Sequence, residues 1–164
     1  MIGGRNNPSR HSMTRHAFLT ALLLALLWPL TGAALEDKDP ELFGEPRHKL
    51  VYQLNKADPD YIDHILFSAG AMLRKYGDDI HIVITVIGPG IHLLAKHPRR
   101  FVSDEARSHA ESLALYGVEF HACGNTLRSL GWTGEDLLEF AEVVEIGADD
   151  LMLLQEKGYS YISW

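Results

Sequence analysis

The chain has 164 residues, 46% of them hydrophobic, and its 15 basic residues face 22 acidic ones for a net charge of −7. That length suits one domain, and the acidic balance, with no basic stripe to offset it, excludes nucleic acid as a natural partner. The single cysteine, Cys123, cannot form an internal disulfide.

Residues 1–34 carry Arg5, Arg10 and Arg15 and no acid, then the apolar run Ala17–Trp28, then the small residues Gly32, Ala33 and Ala34. This is the order of a secretory signal peptide. The run is broken by Pro29 and is short of the ~20 residues of a membrane span, so cleavage is expected over retention as an anchor. A start at Met13 preserves the same order. Without the leader, 12 basic residues face 22 acidic ones, a charge of about −10. A periplasmic or secreted domain with no stable membrane span after leader cleavage is the expectation. Residues 35–47, with Pro40 and Pro46 and no period, read as a flexible lead-in to a domain over 48–164.

In chain order, Lys49–Leu54 reads as a strand. Asp58-Pro59 then opens a helix, Asp as N-cap and Pro at the first helical position. Ile62, Ile65, Leu66, Ala69, Leu73 and Tyr76 share its inner face, and Gly77 suits its C-cap. Asp79–Ile87 is a β-branched run too continuous for a half-exposed strand, and such runs belong to the middle of parallel sheets. Gly88-Pro89-Gly90 follows, at the carboxyl end of that strand, where open α/β sheets build their sites. The loop lacks the third glycine of a dinucleotide fingerprint and the Lys-Ser/Thr of a phosphate loop, so nucleotide binding has little support. Ile91–Ala95 reads as a short helix ending near Pro98.

Ser103 caps the next helix, with Ala106, Ala110, Leu113 and Ala114 inward and Gly117 as its stop. Val118, Phe120 and Ala122 alternate with Glu119, His121 and Cys123, and Gly124-Asn125-Thr126 opens another helix. Thr133-Gly-Glu-Asp136 has the spacing of a capping box ahead of Leu137, Leu138, Phe140 and Ala141. Val143–Ile146 reads as a short strand. Asp149 and Asp150 at the start of a last helix and Lys157 at its end suit the helix dipole. Gly158 stops it, and Tyr159–Ile162 is a terminal edge strand.

Cys123 therefore sits where a strand runs into a helix. Unpaired N–H groups and the positive end of the helix dipole favour a thiolate there. Two readings of it stay open at this point: a reactive thiol, or a buried and inert one, since unpaired cysteine is often buried. His121, two residues earlier on the same strand face, is either a proton-moving neighbour or a packed histidine. Asn125 either orients the thiol or caps the helix.

The blocks His48–Asn55, Val86–Gly90, Gly117–Asn125, Glu142–Ala148 and Gln155–Ile162 resemble the DsrE/DsrF-like family over residues 48–162. The resemblance implies a small α/β domain, a flavodoxin-like three-layer arrangement with a mainly parallel five-stranded sheet, assembled as a homo-oligomer. It also implies sulfur relay, in which a cysteine after a central strand carries sulfur as a persulfide. The matching position is Cys123, with His121 as its nearest acid–base candidate and Gly88, Gly90, Gly124 and Asn125 as ligand-binding candidates. The partners implied are a sulfur donor and acceptor, whether small thiols, polysulfide or a partner protein; no cofactor is implied. The well-studied carriers are cytoplasmic, whereas this chain has a leader-like start.

Two readings of other classes stand beside this one. His48, His64, His81, His92, His97, His109 and His121 with Cys123 allow a metal carrier based on His121-x-Cys123, although no other pair has tight ligand spacing. Alternatively, Cys123 is buried and the domain is an interaction or small-ligand-binding module.

Overall fold

In the computed structural model, which describes residues 44–164, the chain enters its sheet at His48. The expected leader over 1–34 and the lead-in up to residue 43 lie outside the described residues. Strand β1 is His48–Leu54. Helix α1, Pro59–Tyr76, begins as expected: the Asp58 carboxylate accepts the Tyr61 N–H, Pro lies in the first turn, and Gly77 closes the helix at φ 56°. Strand β2, Ile80–Val86, pairs parallel with β1 along its whole length. A 3-10 segment, Gly88–Leu94, leads away from it. Helix α2, Asp104–Leu115, is capped by the Ser103 hydroxyl. Then come β3, Glu119–Cys123, and α3, Gly124–Leu130.

The capping box at Thr133 is present, but it closes only a 3-10 turn, Gly134–Asp136. The helix expected over Leu137–Ala141 does not form. The backbone there bonds sideways: the Leu138 N–H reaches the Leu94 carbonyl at 2.8 Å and the Lys96 N–H reaches the Asp136 carbonyl at 2.8 Å. These cross-links replace the bonds that a helix would have made along its own axis. Strand β4 accordingly starts earlier than expected, at Ala141, and ends at Val144. Helix α4 is Gly147–Glu156 and β5 is Ser160–Ile162.

All neighbouring strands are parallel, in the order β4-β3-β2-β1-β5. This is an α/β fold with a five-stranded parallel sheet. The order decides where the helices go. From β1 to β4 the chain steps one way across the sheet, and right-handed crossovers then place every connection on one face. The step from β4 back to β5 reverses direction, so the same handedness places α4 on the other face.

The cores agree with that topology. Under α1 and α2, Tyr52, Ile84 and Phe120 pack with Ile62, Ile65, Leu66, Ala110 and Leu113 in one large cluster. Across the sheet, Val51, Val83, Leu151 and Leu154 form a second cluster, flanked by Ile87 and Tyr159. One face is thick and apolar. Among the described residues, the other carries one helix and a small apolar patch. Among the described residues no helix is long and apolar enough to cross a membrane.

Candidate functional site

Cys123 ends β3 on the thin face and is the N-cap of α3, with extended backbone at φ −65° and ψ 113°. It is 4% exposed. The Gly147 N–H, at the start of α4, donates to its Sγ at 3.3 Å. Among the described residues no side chain caps the N-terminus of α4, so a sulfur takes one of the donors that the first turn of a helix leaves unpaired. Burial pushes the Cys123 thiol up. Hydrogen bonding from the Thr126 hydroxyl and from the N–H groups of Gly147, Thr126 and Asn125 outweighs burial, and the thiol is held below its ordinary value.

Gly147 could carry no side chain here. A Cβ would lie 2.7 Å from Ile87 Cγ1 and 3.0 Å from Cys123 Cβ. The absence of a side chain lets the α4 backbone come down onto the sulfur.

His121 is buried two residues before Cys123 on the same face. Its ring is not bonded to the sulfur. Nδ1 lies 3.0 Å from Asp150 Oδ1 and Nε2 lies 3.3 Å from Glu119 Oε2. An ionised carboxylate only accepts, so the Nδ1 nitrogen carries a proton toward Asp150 in this arrangement. Burial pushes the His121 pKa down, but the hydrogen bond and charge of Asp150, with the charges of Glu119 and Glu142, prevail and raise it. Asp150 is shifted the opposite way: burial lifts it, while hydrogen bonds from His121 and Thr85 bring it below the usual carboxylate range. The Thr85 hydroxyl donates to Asp150 Oδ2 at 2.7 Å. The polar string continues outward, with Glu119 Oε1 3.1 Å from His81 Nε2 and the Tyr159 hydroxyl 2.7 Å from His81 Nδ1.

The four ligand-binding candidates separate into different roles. Gly88 stands at φ 55°, and its N–H donates to Thr126 Oγ1 at 2.9 Å. The glycine loop and the cysteine are thus joined at one sheet edge through Thr126. Gly90 is buried against β1, where a Cβ would lie 2.4 Å from Leu54 Cδ2, so its smallness serves packing. Gly124 is small for a similar reason, since a Cβ would lie 2.9 Å from the Val144 carbonyl oxygen. Asn125 is exposed and its Oδ1 accepts from Arg128 Nη2.

The His121 ring and the Cys123 sulfur turn to different partners, Nδ1 to Asp150 and Sγ to the Gly147 N–H. Among the described residues no group of three or more His, Cys, Asp or Glu side chains gathers around a point. Sequence reasoning missed Thr126, Gly147 and the ion-pair role of Asp150. Thr126 had a usable signal, standing three residues after the helix N-cap, where a side chain turns back toward the cap. Gly147 and Asp150 carried none, since they reach Cys123 and His121 from 24 and 29 residues away.

A model of the DsrE/DsrF-like family matches residues 46–164. The 2-oxoisovalerate dehydrogenase subunit beta of Bacillus subtilis (strain 168) is 30% identical over 110 residues, covering 66% of this chain and 32% of that protein. The chain thus spans about a third of that relative's length. A solved structure of a protein of unknown function, MTH1491 from Methanobacterium thermoautotrophicum, superposes with a TM-score of 0.64 at 24% identity. The superposition covers 71% of this chain and 99% of that one, a likeness of fold.

Proposed function

We propose, from the premise that this chain belongs to the DsrE/DsrF-like family, that it takes up, holds and releases sulfane sulfur on Cys123. The family supports sulfur relay as the general context. The observation that carries the finer reading is the hydrogen bonding around Sγ, which overcomes burial and favours the thiolate. The thiolate attacks the outer sulfur of a persulfide or polysulfide donor, R–S–SH. A new S–S bond forms on Cys123, the donor S–S bond breaks, and its electron pair leaves with R–S⁻. An acceptor thiolate then attacks the outer sulfur of Cys123–S–SH and regenerates the Cys123 thiolate. No oxidant is consumed in either step.

The leader-like order of residues 1–34 supports export, so we place this chemistry in the periplasm or outside the cell. Self-assembly into a homo-oligomer is supported by the apolar side chains that α4 leaves exposed, Met152 and Leu153, and by Ile146 just before it. The mass of the intact protein after polysulfide treatment tests the sulfur reading. Additions of about 32 mass units that a reductant removes, and that Cys123→Ser abolishes, are expected. A folded protein with no such addition overturns it. That result leaves the interaction module, which the 4% exposure of Cys123 favours.

A further inference from the structure

We propose that Asp150 and His121 are positioning residues for Cys123: their ion pair clamps the first turn of α4 to the sheet and so keeps the Gly147 N–H on the sulfur. The inference rests on the reading of Cys123 as a working thiolate, and it assigns His121 a task other than moving the thiol proton.

The geometry carries it. Gly147 and Asp150 are three residues apart on α4, so they lie on one side of the helix. Both face the sheet, one onto Cys123 and the other onto His121 and Thr85. The apolar side-chain anchors of α4, Leu151 and Leu154 against Val51 and Val83, lie beyond Asp150 from the cysteine. Within the first turn the Gly147 backbone rests on Ile87 and Cys123, and the Asp150 carboxylate is the side chain that bonds the turn to the sheet. An N–H···S contact of 3.3 Å does not survive a lift of an ångström. The groups facing the His121 ring are Glu119 on its own strand, Thr85 and His81 from β2, Glu142 from β4 and Asp150 from α4, with Lys157 near Asp150.

A direct electrostatic effect and a clamp predict different outcomes for one substitution. Asp150→Asn removes a negative charge near the sulfur, and it also removes the main support of the His121 proton. The pair is neutral before and after, so charge alone leaves the thiol where it was or makes it more acidic. A loosened clamp makes it less acidic.

The experiment is the pH midpoint of thiolate ultraviolet absorbance in the full chain, with the Cys123→Ser spectrum subtracted. As Cys123 is the only thiol, the difference belongs to it. Asp150→Asn and His121→Gln are each expected to raise the midpoint by about one unit, with the double variant no higher, because the two residues act as one unit. Amide exchange at Gly147 should quicken in the same variants. A midpoint that stays or falls in a folded variant overturns the clamp. Should both variants fail to fold, protection of the Gly147 amide against exchange in the unsubstituted chain decides: it is expected to fall as pH rises through the His121 midpoint, and protection indifferent to that titration overturns the proposal. Sulfur loading by mass is read separately. Loading with an unmoved thiol midpoint sinks the clamp alone, and a moved midpoint without loading sinks the sulfur reading alone.

Discussion

Across the face under α1 and α2, one rung of the sheet runs Tyr52, Ile84, Phe120 and Ala141; on the opposite face the next rung runs Gln53, Thr85, His121 and Glu142. The first rung is apolar apart from the Tyr52 hydroxyl, which is bonded to Ser68 at 2.9 Å. The second is polar, and its two central members are held by a helix carboxylate. The same backbone thus carries a layer that excludes water and a layer that places charges. Stability and acid–base chemistry are thereby assigned to opposite faces, because side chains alternate between them.

Truncations on the two faces test that separation most strongly. Phe120→Ala, on the thick face, is expected to cost about 4 kcal/mol in urea unfolding, whereas Leu154→Ala, under α4, costs about 2 kcal/mol. Both residues are buried, but Leu154 belongs to a cluster of four. The second variant should also raise the thiolate midpoint, and the first should not. Equal costs, or a thiol blind to Leu154, would break the division between the faces.

Thr126→Val sharpens the division within the site. It removes the hydroxyl that receives the Gly88 N–H at 2.9 Å and favours the thiolate. A rise in the thiolate midpoint of about one unit is expected, with a loss of about 1 kcal/mol of unfolding stability from the unpaired Gly88 N–H. Ordinary thiol acidity is already present if the substitution leaves that midpoint where it was.

The pH dependence of stability is the smallest effect. The folded-state pKa of His121 is raised, so its contribution is fully present below the unfolded value of about 6.5 and is lost as pH rises through the folded value. Asp150 is lowered, so its contribution is present above the unfolded value of about 3.9 and is lost as pH falls through the folded one. The pair therefore works over the mildly acidic range between them. His121→Gln should flatten the alkaline shoulder of a stability profile measured by thermal unfolding. A shoulder retained in that variant would assign the titration to another group.

Much of the thick face was legible in the sequence, because its signals are local. The Asp58-Pro59 opening, the inward face of Ile62, Ile65 and Leu66 and the unbroken apolar run of β2 each declare themselves within a few residues. Cys123 at its strand–helix junction was legible for the same reason. The Thr133 capping box misled, since Leu138 and Lys96 bond across the chain and stop the helix after one turn. The thin face stayed hidden. Asp150 suited a helix dipole when read locally, and only the return of the chain from β4 to β5 turns it toward His121.

That return also brings the two ends of the domain together. β5 pairs with β1, so the last strand of the chain completes the sheet beside the first. The thick core draws on residues up to Ala141, with Ile162 as its one later flank, so none of its residues comes from α4. Cys123 gains the Gly147 contact only when the final segment folds back over the sheet. A chain that stops short of α4 therefore keeps the residues of its thick core and the Thr126 and Asn125 donors, and its thiol lacks only the Gly147 donor.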